Sequence, residues 1–252
     1  MVSVSLSRAP RVGWSFNLFP DAAEGGGCFR SSWQSRSRGV RGAAKDPERA
    51  AVEAQRRARA RLRRYCTANR LNRLGTLTYA GAGCHEYRQA SRDAGLFFRA
   101  LRDGVVRKPF PYAWTSEWHP GGHGLHLHFA VGRFISVSDI RRVWGRGIVH
   151  IKLLGDLPVG STSLDEARVA AGYLSKYVAK SFDEKDRPPG MHRFDVGQGF
   201  TPSGVKLWAP SASEALRLAS EEMGSSPALI WSSTEAEEWN GPPAIWAQWQ
   251  AV

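Results

Sequence analysis

Cysteine is scarce in this 252-residue chain: Cys28, Cys66 and Cys84 are the only three, and no two form a Cys-x-x-Cys pair. Their number and spacing exclude a disulfide framework and a cysteine-based zinc cluster, and fit a reducing compartment. Long apolar runs are missing as well, since none approaches the ~18 residues a membrane span needs. Met1 to Asn17 lacks a basic segment followed by an apolar stretch, so no secretory signal is read there. A soluble, cytoplasmic chain with no membrane partner is the expectation. No Gly-x-x-x-x-Gly-Lys-[Ser/Thr] phosphate loop occurs, which excludes a fused motor of that type. Acidic residues are sparse at the front, where residues 1–72 set five acids against fourteen arginines and one lysine.

The composition is otherwise globular, at 42% hydrophobic and 23% charged, with a formal net charge of +12. Such an excess favours a polyanionic partner, although a solvated basic surface has the same composition. The distribution narrows the choice of region. Residues 211–252 carry Arg217 alone against six acids, so the partner is expected along the first two thirds.

Three regions follow from the pattern. Residues 1–45, rich in Gly, Ser and Arg with Gly25-Gly26-Gly27, read as a flexible basic arm. Asp46-Pro47-Glu48 is a helix start, and Pro47 to Ala68 should form a basic helix. Its Arg56, Arg57, Arg63 and Arg64 could grip phosphates or simply be solvated. Within 46–202, strands are predicted at Leu74–Tyr79, Tyr112–Trp118, Leu125–Val131 and Ile148–Leu154. Helices are predicted over 89–103, from Ser138 through Trp144, and from Leu164 to Phe182. Residues 203–252 offer a short strand (Val205–Trp208), a helix (Ser211–Met223) and an acidic tail bearing Trp231, Trp239, Trp246 and Trp249.

Four of the seven histidines fall between positions 119 and 128. In a strand, His126 and His128 share one face while Leu125, Leu127 and Phe129 take the other. A hairpin with the loop Pro120–His123 pairs His119 with Gly124, and so sets Glu117 opposite His126 and Thr115 opposite His128. Two imidazoles beside a carboxylate could hold Mg²⁺ or Mn²⁺ with positions left open for a phosphate oxygen. They could equally be hydrogen-bonding histidines on an amphipathic strand. His119 and His123 are loop residues that could touch nucleic acid.

On the last helix of this region, Tyr173, Lys176, Tyr177 and Lys180 share one arc, separate from the apolar arc of Ala171, Leu174, Val178 and Phe182. Phenol, with a pKa of ~10, is a poor nucleophile unaided. A polarised phosphate and nearby ammonium groups would supply the help. Two tyrosines packed at a helix edge would show the same spacing.

Together, and in this order, the motifs resemble the HUH endonucleases, specifically rolling-circle replication initiators (Rep proteins) with two tyrosines. Leu74-Gly75-Thr76-Leu77-Thr78-Tyr79 resembles the first motif strand, and Glu117 through His126-Leu127-His128 the metal motif. Tyr173-Leu174-Ser175-Lys176-Tyr177 resembles the Tyr-x-x-Lys-Tyr motif of phage initiators. Arg61 through Tyr79, His192-Arg193-Phe194 and Gln198-Gly199-Phe200 resemble replication proteins of actinobacterial plasmids and integrative elements. The resemblance implies an α+β fold, an antiparallel sheet of about five strands (an RRM- or ferredoxin-like HUH core) flanked by helices. It also implies nicking of single-stranded or hairpin origin DNA, a 5′-phosphotyrosine intermediate and a free 3′-hydroxyl. The implied metal ligands are His126, His128 and Glu117. The implied nucleophiles are Tyr173 and Tyr177, with Lys176 and Lys180 as electrostatic helpers. A host helicase and polymerase would be partners. A transposase or relaxase of the same chemistry, or a non-catalytic single-strand-binding module, are the alternatives.

Overall fold

The computed structural model describes residues 12–31, 44–152, 154, 157–184, 187–188, 191–237 and 239–250. It divides into two compact units, one from residues 45–202 and one from residues 1–44 with 203–252. Each carries its own five-stranded antiparallel sheet, and five α-helices complete an α+β protein. No helix among the described residues is long and apolar enough to cross a membrane.

The 45–202 unit opens with α1 (Pro47–Ala68), started by the Asp46 side chain, which accepts from the Arg49 amide at 3.0 Å. Next come β3 (Arg73–Leu77), α2 (Tyr87–Ala100), β4 (Tyr112–Trp118), β5 (Leu125–Val131), α3 (Val137–Trp144), β6 (Val149–Lys152), α4 (Ser163–Lys180) and β7 (Asp195–Val196). Strands are numbered along the whole chain, and β1 and β2 belong to the other unit. The sheet order is β6-β3-β5-β4-β7, with every neighbouring pair antiparallel. β5 therefore lies at the centre.

Alternation along β5 splits the core into two layers. Leu125, Leu127, Phe129 and Val131 join Phe97 and Phe98 of α2 and Ile140 and Trp144 of α3. On the other face, Ala130 joins Leu74 and Ala113 beneath Leu62 and Tyr65 of α1 and Leu174 and Val178 of α4. The side chains facing α1 and α4 are small near the sheet centre, so those helices lie close. Helix α2 does not stop at its expected boundary but passes into a π-helical turn over Leu101–Val106.

The β4–β5 hairpin has the register expected from its turn: Glu117 pairs with His126 and Thr115 with His128. The His119 amide donates to the Gly124 carbonyl at 2.9 Å. Gly124, at φ +82°, has backbone of Cys84 within 2.4 Å of where a Cβ would stand, so no larger residue fits that crossing.

Residues 13–30 correct the expectation of a flexible arm. They form β1 (Gly13–Phe19) and β2 (Glu24–Arg30), joined by a short 3-10 turn at Pro20–Ala22. These strands pair with β8 (Val205–Ala209), β9 (Leu229–Ser232) and β10 (Ala244–Gln248) in the order β8-β1-β2-β10-β9. The glycines are the physical reason. Gly25 leaves room for the ring of Phe16, which comes within 2.4 Å of a would-be Cβ, so a run that resembles a linker is a sheet floor under a large side chain. Helix α5 (Ala212–Met223) packs on β1 and β8. The tryptophans expected in a tail lie in strands or the core: Trp231 in β9, Trp246 in β10, and Trp249 fully buried. The remainder of 1–45 lies outside the described residues, apart from positions 12, 31, 44 and 45.

Gly75 in β3 supplies a test of the packing. A Cβ there would stand 2.3 Å from the Phe129 ring. Gly75→Ala is therefore expected to cost about 1–3 kcal/mol through overpacking, read as a lowered denaturant midpoint at unchanged slope.

Candidate active site

The site is built on the α1/α4 face of the central sheet. Three neighbouring strands place His150 (β6), Thr76 (β3) and His128 (β5) in one lateral row. Glu117 and His126 form the adjoining pair on β4 and β5. His128 is buried, and both its nitrogens are engaged: Nδ1 lies 3.0 Å from Thr76 Oγ1 and Nε2 lies 3.0 Å from Glu117 Oε2. Glu117 also accepts from Lys180 Nζ at 2.5 Å through Oε1. Burial raises the pKa of the Glu117 carboxyl. The hydrogen bonds and charges of His128 and Lys180 outweigh burial and hold it below the ordinary carboxylate range.

Helix α4 delivers the tyrosines to this face. Its apolar arc docks on the sheet through Leu174 and Val178, which turns Tyr173 and Tyr177 toward the histidine row. The Tyr177 ring stacks on the His128 imidazole, with centroids 3.6 Å apart and planes 7° apart. The Tyr177 hydroxyl donates to the Tyr173 oxygen at 2.6 Å. Burial, followed by that bond to Tyr173, pushes the Tyr177 phenol well above its ordinary pKa. The two phenols thus differ. Tyr177 holds its proton and gives it in a hydrogen bond, whereas Tyr173 receives one and has Lys152 Nζ 4.9 Å from its ring centroid.

The other expected residues are distributed as follows. Lys180 reaches both Glu117 and the Tyr177 ring, with Nζ 5.4 Å from the centroid, while Lys176 is exposed on the same helix. His126 is half-buried and turns toward His119, at 4.6 Å between centroids, with His123 a further 5.4 Å from His119. Burial first, then the neighbouring histidine charges, holds His126 below the ordinary imidazole pKa. Arg56 and Arg57 are exposed on α1, Arg56 in an ion pair with Glu53 at 3.1 Å, and Arg63 and Arg64 are half-buried. Helix α1 meets the C-terminal end of α4 where Gln55 Nε2 donates to the Ala179 carbonyl at 3.1 Å.

The donor types suit a hard divalent cation, and His126, His128 and Glu117 share one face. Yet among the described residues no three His, Cys, Asp or Glu side chains stand as a group that could hold a metal ion. The reason is local. His128 and Glu117 are bonded to each other, Lys180 supplies the positive charge beside Glu117, and His126 turns to His119.

Three participants were not singled out from sequence: Thr76, Lys152 and His150. Thr76 was within reach, because its parity in the alternating Leu74–Tyr79 strand puts it level with one of the two histidines once β3 lies beside β5. Lys152 and His150 depend on β6 docking at that edge, which no local signal announces. The segment after α4 is anchored to β4 by Arg187, buried, whose Nη2 donates to Ser116 Oγ at 3.0 Å. Thr115 Oγ1 also donates to the Arg193 carbonyl at 2.8 Å.

Residues 72–182 match a family model of replication-associated proteins, described by its ORF2 and phage gene II protein members. The matched segment runs from the start of β3 to just past α4 and so contains the whole histidine–tyrosine face. The match supports a replication initiator with DNA as its partner. No curated protein and no solved structure matches the chain.

The start of α4 fixes where the phenols point. Thr162 and Asp165 form a reciprocal capping box, which holds the Asp165 carboxyl below its ordinary pKa of 3.8, chiefly through the Thr162 amide and hydroxyl. A depressed carboxylate stabilises the fold above its unfolded pKa and loses that contribution as pH falls through the folded value. Thr162→Ala is expected to cost about 1 kcal/mol at pH 7. The Tm difference from wild type should shrink as pH falls below 3.8 and Asp165 becomes protonated.

Proposed function

We propose that this chain is a rolling-circle replication initiator of the HUH type, which nicks single-stranded origin DNA with a tyrosine and later rejoins strands. The observation that carries the reading is the Tyr177 ring stacked on His128 with its hydroxyl donated to Tyr173. It joins two phenols, two ammonium groups and the histidine–carboxylate pair on one sheet face.

Tyr173 is the first nucleophile in this reading. Its developing phenolate is stabilised by the O–H of Tyr177 and by the Lys152 ammonium. The phenolic oxygen bonds to phosphorus, the bond to the 3′ oxygen breaks, and that oxygen takes up a proton as the phenol loses one. The products are a 5′-phosphotyrosine and a 3′-hydroxyl from which a host polymerase could extend. A host helicase would open the duplex, since the sequence has no phosphate loop of its own. Tyr177, protonated while Tyr173 reacts, is placed to accept the second transfer. The arginines of α1 and the imidazoles of His119 and His123 would contact the backbone.

Mg²⁺ or Mn²⁺ would be held by Glu117, His126 and His128, taking over at Glu117 the positive charge that Lys180 supplies. Bound there, such a cation would polarise the scissile phosphate. One observation favours the competing reading, a non-catalytic single-strand-binding module: the nitrogens of His128 are already satisfied within the protein.

Two experiments separate these readings. With a labelled origin oligonucleotide and Mn²⁺, wild type should yield a covalent protein–DNA product on a denaturing gel. Tyr173→Phe should lower the initial product by about 10³-fold or more, while Tyr177→Phe keeps the first nick and loses rejoining. Full activity of the double Phe variant would discard the tyrosine assignment. In calorimetric titration with Mn²⁺ alone, His126→Ala and His128→Ala should each weaken binding by about 10–100-fold and Lys180→Ala should tighten it. Unchanged binding in all three would remove the proposed ligand set.

A further inference from the structure

A cavity of about 350 Å³ opens at the β6 edge of the sheet, below the tyrosines. Its size lies within the ~300–1,000 Å³ range of small-molecule sites. Its apolar wall includes Phe129, Ile140 and Ile151, and three cations, Arg73, Arg133 and Lys152, stand on its lining. The acid among the described lining residues, Glu166, already accepts from Asn72 Nδ2 at 2.5 Å, so the remaining charge is positive.

Two details point to a ligand. Arg133 Nε is buried with no hydrogen-bond partner among the described residues, a donor left unmet where the protein has taken it out of water. Lys152 belongs to both places: it lines the cavity, and its ammonium lies 4.9 Å from the Tyr173 ring centroid. An occupant would therefore sit next to the reacting phenol. An apolar wall beside a cationic rim matches a flat heteroaromatic ring attached to a phosphate.

We propose that this cavity takes one nucleotide of the single-stranded DNA next to the scissile phosphate. Its base lies against Phe129, Ile140 and Ile151, and its phosphate lies among Arg73, Arg133 and Lys152. The proposal rests on the nicking reading for its choice of DNA strand. It adds a base-reading site that the histidine and tyrosine motifs do not contain. Base contacts select sequence while phosphate contacts only position the strand, so the cavity sets which nucleotide may flank the nick.

The test uses the full chain carrying Tyr173→Phe and Tyr177→Phe, so that binding is read without chemistry. The probes are fluorescently labelled single-stranded 12-mers: dA, dC, dG and dT homopolymers and an abasic strand of equal charge. One homopolymer should bind about tenfold tighter than the abasic strand, the scale of ~1–3 kcal/mol per well-seated base. Adding Arg133→Ala, or Val137→Trp at the exposed lip of the cavity, should bring that ratio below about threefold while thermal melts remain cooperative. The proposal is overturned if no homopolymer outbinds the abasic strand, or if the preference survives in both variants. Because covalent adduct formation by wild type is scored separately, loss of this site and loss of the nicking reading give different results.

Discussion

His128 is held from three directions at once. Thr76 and Glu117 take its two nitrogens within the sheet, and the Tyr177 ring lies flat on its face from above. Such a ring cannot rotate without breaking bonds on β3 and β4 and opening the packing of α4. The imidazole is therefore the point at which sheet geometry fixes helix geometry, and through it the position of both phenols. The cost of this arrangement is a buried, fully bonded histidine whose partners must all be present, since an unmet polar group in such a place costs roughly 1–3 kcal/mol.

The consequence is asymmetry between two identical side chains four residues apart. Tyr177 is committed as a donor and as the cover of His128, and Tyr173 is left as an acceptor beside a lysine from a different strand. Two ammonium groups reach this face by separate routes, Lys180 from the tyrosine helix itself and Lys152 from the sheet edge. Lys180 neutralises Glu117, and a divalent cation proposed for the same carboxylate would compete with it directly. The same lysine would then be the first group to move when metal and DNA arrive.

Much of the 45–202 unit was legible because its signals are local. The turn at Pro120–His123 fixes the β4–β5 register, and with it the Glu117–His126 pair. Likewise Asp46-Pro47 and Thr162 mark helix starts whose caps form as expected. What failed was long-range. Gly25-Gly26-Gly27 has the composition of a linker, and only the ring of Phe16 across the β1–β2 pair turns it into a strand. The strands bearing Trp231 and Trp246 are short and flanked by Ser and Pro, so they carry little periodicity until β2 supplies an edge to pair with. Lys152 was missed for the same reason, since its contact with Tyr173 depends on β6 docking antiparallel to β3. Lys176 and Lys180 looked equivalent on a helical wheel, and the sheet below separates them.

The central claim is that Tyr173, held by Tyr177 and Lys152 above the histidine row, is the residue that takes the DNA phosphate. Peptide mapping by mass spectrometry, after trapping wild-type protein on a nicked origin strand and digesting both components, tests it most directly. A phosphonucleotide on Tyr173 is the predicted first-turnover product. A modification confined to a residue outside α4, or none despite strand cleavage, would contradict it.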